Sequence, residues 1–232
     1  MAKDVIIACD FPSKDETMSF LEQFRDERPY VKIGMELFYA EGPSIVRELK
    51  ARGHQIFLDL QLHDIPNTVE NAMRSLAGLG VDMTNVHAAG GVKMMEAARR
   101  GLTREDGTRP VLIAVTQLTS TNREVMNMEL GIKGPVESTV IAYAKNAAKA
   151  GLDGVVCSSR ETGLIHEACG AGFMTVTPGI RLEGSKQDDQ HRINTPTQAR
   201  ENGTDYIVVG RPITRVENPV AAYHHFREEF LG

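Results

Sequence analysis

Cysteine is scarce in this sequence: 232 residues carry only Cys9, Cys157 and Cys169, and no two of them form a CxxC pair. So small and odd a set excludes a disulfide framework and a cysteine-rich zinc site, and the cytosol is the compartment that suits it. Long apolar runs are missing as well. Val5-Ile6-Ile7-Ala8-Cys9 is closed off by Asp4 and Asp10, too short for a bilayer span or a signal-peptide core, so neither export nor membrane attachment is expected. Without a secretion signal, the sequon at Asn202-Gly203-Thr204 is a chance match. There is no excess of basic charge: 26 Lys and Arg face 31 Asp and Glu, a net charge of -5, which argues against a general nucleic-acid binder. No low-complexity tract, Pro-rich linker or break in composition divides the chain, which predicts one domain over residues 1–232. No His, Cys and carboxylate set shows metal-ligand spacing, so no metal is expected.

What is present is alternation. Short β-rich runs (Val5–Cys9, Tyr30–Gly34, Gln55–Leu60, Met83–His87, Val111–Gln117, Gly154–Cys157, Met174–Thr177 and Tyr206–Val209) take turns with stretches of helical period. The helical stretches lie near Lys14–Arg28, Gly42–Ala51, Asn67–Leu79, Gly91–Leu102, Val136–Ala150, Arg160–Cys169, Thr197–Asn202 and Val220–Phe230. Eight βα units in this length predict a (β/α)8 TIM barrel, usually about 250 residues. The rival is an open doubly wound sheet, but the first strand is not followed by the GxGxxG of its dinucleotide-binding form.

In a barrel the chemistry gathers where strands end, so charges that interrupt or close an apolar strand carry the information. Asp10 closes the first strand on the face of Ile6 and Ala8, although before Phe11-Pro12 it could equally open a turn. Lys32 points inward, opposite Val31 and Ile33, and an inward cation is costly unless paired. In the third strand Asp59 and Gln61 share the inward face with Phe57. His63, read as an orienting residue, and Asp64 then lead into a helix near Pro66, where Asn67 and Glu70 fit a capping box. A lysine and carboxylates converging on one barrel mouth point to function.

A second group lies late in the chain. Gly179-Ile180-Arg181 follows the seventh strand and Gly210-Arg211-Pro212 the eighth, the two loops with which barrels frequently bind phosphate. Glycine lets the backbone approach and arginine supplies a two-pronged donor. The most polar loop, Gly184–Arg192, follows the seventh strand and is the candidate lid.

Taken in order, Cys9-Asp10-Phe11, Val31-Lys32-Ile33-Gly34, Asp59-Leu60-Gln61-Leu62-His63-Asp64-Ile65-Pro66-Asn67-Thr68, Val115-Thr116-Gln117-Leu118-Thr119-Ser120, Pro178-Gly179-Ile180-Arg181 and Val209-Gly210-Arg211-Pro212 resemble the bacterial type of the orotidine 5'-phosphate decarboxylase family. The resemblance implies loss of CO2 from orotidine 5'-monophosphate to give UMP, with no metal or cofactor, in a homodimer whose active sites are shared across the interface. It assigns Asp10 and Lys32 to the ribose hydroxyls and sets Asp59 against the substrate carboxylate. Asp64, with Ile65 and Thr68, would serve the neighbouring subunit's site. Thr119 would meet the pyrimidine edge, and Arg181, Gln190, Gly210 and Arg211 the phosphate. The departure is Gln61, where the family carries a proton-delivering lysine in Asp-x-Lys-x-x-Asp, so the resemblance implies a weakened enzyme. Two alternatives stand beside it: a magnesium-dependent phosphosugar decarboxylase or synthase barrel, and a non-catalytic nucleotide-binding barrel.

Overall fold

Strands that are apolar on both faces need cover on both, and a parallel sheet wrapped by its own crossover helices provides it. The computed structural model describes residues 3–25, 27–183 and 194–232 and closes eight parallel strands into a barrel in sequence order. They are β1 (Asp4–Ala8), β2 (Tyr30–Ile33), β3 (Ile56–Leu62), β4 (Met83–His87), β5 (Val111–Val115), β6 (Gly154–Val156), β7 (Met174–Thr177) and β8 (Tyr206–Val209). Closure comes from β8 pairing with β1, from Asp4 opposite Tyr206 to Ile7 opposite Val209. The helices are α1 (Lys14–Glu22), α2 (Met35–Glu41), α3 (Pro43–Ala51), α4 (Pro66–Ala77), α5 (Gly91–Leu102), α6 (Val136–Lys149), α7 (Thr162–Cys169), α8 (Pro196–Glu201), α9 (Arg211–Thr214) and α10 (Pro219–Leu231). None of them is long and apolar enough to cross a membrane.

The period of two sorts the strand residues into two cores. Inside the barrel, Ile6, Ala8, Tyr30, Phe57, Met83, Ile113, Met174, Val176 and Val208 pack together. Their neighbours, such as Ile7, Val31, Ile33, Ile56 and Leu58, face outward into the larger layer beneath the helices. Phe57 is 1% exposed; a side chain so buried contributes about 1.5–3 kcal/mol.

The bottom of the barrel is pinned by a repeated device. Gly80-Val81-Asp82, Gly151-Leu152-Asp153 and Gly203-Thr204-Asp205 each follow a helix end with a left-handed glycine (φ 75, 76 and 86°) and enter β4, β6 or β8 through an aspartate. The Asp82 carboxylate accepts the Ile56 N–H at 2.7 Å, Asp153 that of Leu112 at 2.7 Å and Asp205 that of Thr175 at 2.8 Å. In return each aspartate's own N–H donates to the carbonyl of the same partner. Charge-assisted bonds of this kind are worth about 1.5–3 kcal/mol each and fix the register of three strand pairs.

Several boundaries depart from the sequence reading. Helix α1 stops at Glu22 instead of reaching Arg28, because Arg25 turns left-handed (φ 50°) and the Arg28 guanidinium takes the carbonyls of Arg25 and Glu27. Strand β5 ends at Val115, and Gln117 leaves the sheet for the central cavity. The capping box does not form: α4 starts at Pro66 with Ile65 as its N-cap, while Glu70 pairs with Arg74 at 3.1 Å and Arg100 at 2.9 Å. That second pair joins α4 to α5 where their backbones nearly touch, since a Cβ on Gly101 would lie 2.1 Å from the Glu70 carbonyl. Helices α2 and α9 had no counterpart in the sequence reading.

Candidate active site

At the C-terminal ends of the strands, β2 delivers Lys32 on the inward face, two residues beyond Tyr30. Its ammonium lies 3.0 Å from Asp10 Oδ1 and 3.4 Å from Asp59 Oδ2, with side-chain exposures of 12% for Lys32, 54% for Asp10 and 15% for Asp59. Burial pulls the ammonium down, but the Asp59 and Asp10 carboxylates outweigh it and hold Lys32 above the usual lysine value. It is therefore charged at neutral pH. Gly34 makes room for this arrangement, since a Cβ there would lie 3.0 Å from Asp10 Oδ1 and 3.1 Å from Lys32 Nζ.

Strand β3 brings Asp59 and Gln61 to the same cavity, but not by simple alternation. Gln61 adopts φ 52°, a left-handed backbone uncommon outside glycine, and the register against β4 shifts between Leu58 and Leu62. The Asp59 carboxylate divides its work: Oδ2 faces Lys32, while Oδ1 accepts from Asn85 Nδ2 at 2.7 Å and from Gln61 Nε2 at 3.3 Å. Asn85, fully buried on β4, also accepts the Gln61 backbone N–H at 2.8 Å. Asn85 is not among the site residues expected from the sequence, although an asparagine sharing the inward face with Met83 is a poor strand former and is the available signal.

Lys32, Asp59, Gln61, Gln117, Thr119, Ser120 and Pro178 line a cavity of about 240 Å³ whose apolar walls include Phe57, Val115, Val156, Val176 and Val208. Thr119, 7% exposed, reaches it from the loop after β5, where Thr121 N–H turns back to the Leu118 carbonyl at 2.8 Å. Burial and then the Asp10 charge push the Cys9 thiol well above its usual range, so Cys9 is an inert core residue.

Asp64, Ile65 and Thr68 are not brought into this cavity. Asp64 is exposed and accepts the Ile65 N–H at 2.6 Å. With Thr68 it borders a neighbouring cleft, beside His63 and Tyr39, which shares Gln61 with the cavity. Ile65 is 67% exposed and Tyr39 71%. His63 stacks on His87 with ring centroids 5.6 Å apart. Burial, and then the neighbouring His63, lower the His87 imidazole below its usual value.

At the other side of the mouth, Arg181 is 8% exposed, donates from Nη1 to the Ile180 carbonyl at 2.9 Å and has its N–H on the Asn194 carbonyl at 3.0 Å. Gly210 and Arg211 stand at the end of β8, which pairs with β7 through Val176 and Tyr206, so the two arginine-bearing loops are neighbours. Gln190 and the 184–192 loop lie outside the described residues. Among the described residues no group of three or more His, Cys, Asp or Glu side chains is placed to hold a metal ion.

A (β/α)8 barrel with a lysine paired to two carboxylates, and amide donors beside it, at the mouth of a mainly apolar cavity has the layout of a barrel enzyme for a small charged substrate. Comparison with known proteins narrows the class. Residues 3–226 match the model of the "Orotidine 5'-phosphate decarboxylase / HUMPS family", and the chain belongs to that family. It is 55% identical to the "Orotidine 5'-phosphate decarboxylase" of Bacillus cytotoxicus, over 100% of this chain and 99% of the relative, and equally to that of Bacillus cereus. Among solved structures, the Lactobacillus acidophilus orotidine 5'-phosphate decarboxylase superposes with a TM-score of 0.88 at 41% identity, covering 99% of this chain and 100% of that one. An uncharacterized conserved protein from Geobacillus kaustophilus gives 0.86 at 49% identity, over 97% and 99%.

Proposed function

We propose that residues 1–232 act as one barrel domain that decarboxylates orotidine 5'-monophosphate to UMP and CO2 in de novo pyrimidine synthesis, and that Gln61 leaves this chain strongly weakened. The carrying observation is the Lys32 ammonium between Asp10 and Asp59 at the barrel mouth, beside Gln61.

The C6–carboxylate bond breaks, the electron pair stays on C6 where the pyrimidine ring cannot delocalise it well, and a proton must then reach C6. Asp59 would face the departing carboxylate, while Lys32, fixed before substrate arrives, stabilises charge as it develops. Asp10 and Lys32 would hold the ribose hydroxyls, Thr119 the pyrimidine edge, and Arg181, Gln190, Gly210 and Arg211 the phosphate, whose binding energy orients the ring. A lysine at position 61 would supply the proton. The Gln61 carboxamide can donate a hydrogen bond but has neither the charge nor the acidity. The exposed Asp64, Ile65 and Thr68 suit a homodimer in which they complete the partner's site. The site needs no cofactor, metal, membrane or nucleic acid, and the enzyme works in the cytoplasm.

The test is CO2 release from orotidine 5'-monophosphate by the Gln61→Lys chain with EDTA or with magnesium. Equal rates are expected. Loss in EDTA reversed by magnesium would move the chain to the phosphosugar reading.

A further inference from the structure

We propose that Asn85 is a positioning residue of this site, its one carboxamide fixing both the direction of the Asp59 carboxylate and the left-handed backbone at residue 61. The inference rests on the functional reading above, and its origin lies in the strand pairing.

Phe57 pairs with Met83 and Leu58 with Thr84, but the next pair is Leu62 with Val86. Four steps along β3 are thus opposed by two along β4. The extra backbone of Asp59, Leu60 and Gln61 bulges out of the ladder, which takes their peptide groups out of regular pairing. Side chains of β4 fill in. Thr84 Oγ1 donates to the Leu58 carbonyl at 2.9 Å, and Asn85 Oδ1 accepts the Gln61 N–H at 2.8 Å.

Asn85 is fully buried, so its own polar atoms depend on protein partners. Its Nδ2 donates to Asp59 Oδ1 at 2.7 Å, holding that oxygen away from Lys32 while Oδ2 lies 3.4 Å from the ammonium. Without the amide, the carboxylate is free to turn about its terminal torsion toward the cation, and residue 61 loses the acceptor that holds its backbone left-handed. Both groups flank the reacting carbon in the proposed reaction. Misplacement there slows the chemical step far more than it weakens binding through the distant phosphate.

The test has two arms. Crystal structures of Asn85→Ala and Asn85→Asp are compared with that of the unmodified chain. Asn85→Ala is expected to turn the Asp59 carboxylate and release the left-handed conformation at Gln61. Asn85→Asp, nearly the same shape, keeps the acceptor for the Gln61 N–H but sets a second anion against Asp59, so only the carboxylate should move; it also secures the test if the alanine variant fails to fold. An unmoved Asp59 and Gln61 in the alanine variant, or an unmoved Asp59 carboxylate in the aspartate variant, would overturn the proposal. In the Gln61→Lys background both changes should lower kcat by about 10²-fold while KM stays within about threefold. A kcat within about threefold of the parent, or a loss confined to KM, would overturn it equally. If the Gln61→Lys parent itself releases no CO2, the functional reading fails, and the crystal structures still decide the role of Asn85.

Discussion

Lys32 Nζ lies 3.4 Å from Asp59 Oδ2, and both side chains are nearly closed to solvent, at 12% and 15% exposure. Neither could be buried there alone, because an unpaired charge in such a site is strongly destabilising. Lys32→Met should therefore cost about 3 kcal/mol in urea unfolding. Asp10 makes the shorter contact, at 3.0 Å, but is 54% exposed, so Asp10→Asn should cost under about 1 kcal/mol. Lys32 is held above its usual value, so its contribution is complete at neutral pH and is lost only as pH rises through that higher folded value. Equal losses for the two variants would contradict this ranking.

A second prediction concerns acid stability. His54 is 3% exposed with Nδ1 3.0 Å from the Pro29 carbonyl. Burial lowers its imidazole, the Pro29 carbonyl opposes this, and Arg28 and Arg52 lower it further, for a net fall. A histidine kept neutral in the fold but free to protonate when unfolded withdraws stability as pH falls below about 6.5, by up to roughly 1.4 kcal/mol per pH unit, until its folded value is reached. Urea midpoints should be flat above about pH 7 and fall toward about pH 5, with a shallower fall in His54→Gln. The same slope in both chains would remove His54 from the account.

Assembly is tested by complementation. If Asp64 serves the partner's site and Lys32 its own, then Asp64→Asn and Lys32→Ala, each in the Gln61→Lys background, leave a heterodimer with one doubly damaged site and one intact site. Exchanging subunits between two nearly inactive proteins should restore up to roughly a quarter of the parent's activity. Were both residues to serve one subunit's site, mixing would restore nothing.

The barrel was legible because period and punctuation act locally: each β-branched run and every helix but the short α2 and α9 announces itself within a dozen residues. The inward aim of Lys32 and Asp59 followed from the same period. The bulge at Gln61 was not legible, because it depends on pairing between β3 and β4, residues distant in sequence, and on the Thr84 and Asn85 side chains that serve it. The capping box failed for a related reason. Asn67 and Glu70 have the right spacing, but the helix starts at Pro66 with Ile65 as its N-cap, which puts Asn67 inside the first turn, and Arg74 and Arg100 claim Glu70. Asp64, Ile65 and Thr68 could be named from the family resemblance, yet nothing local told that they face outward.

The central claim is that this is an orotidine 5'-monophosphate decarboxylase site lacking its proton donor at position 61. The most direct measurement is the rate of CO2 release from orotidine 5'-monophosphate by the chain as it stands and by Gln61→Lys. Charge stabilisation and proton delivery are each commonly worth roughly 10²- to 10⁴-fold, and lysine would add both. The account predicts a rise of several orders of magnitude on restoring lysine. A rise below about tenfold, less than either contribution alone, would contradict it.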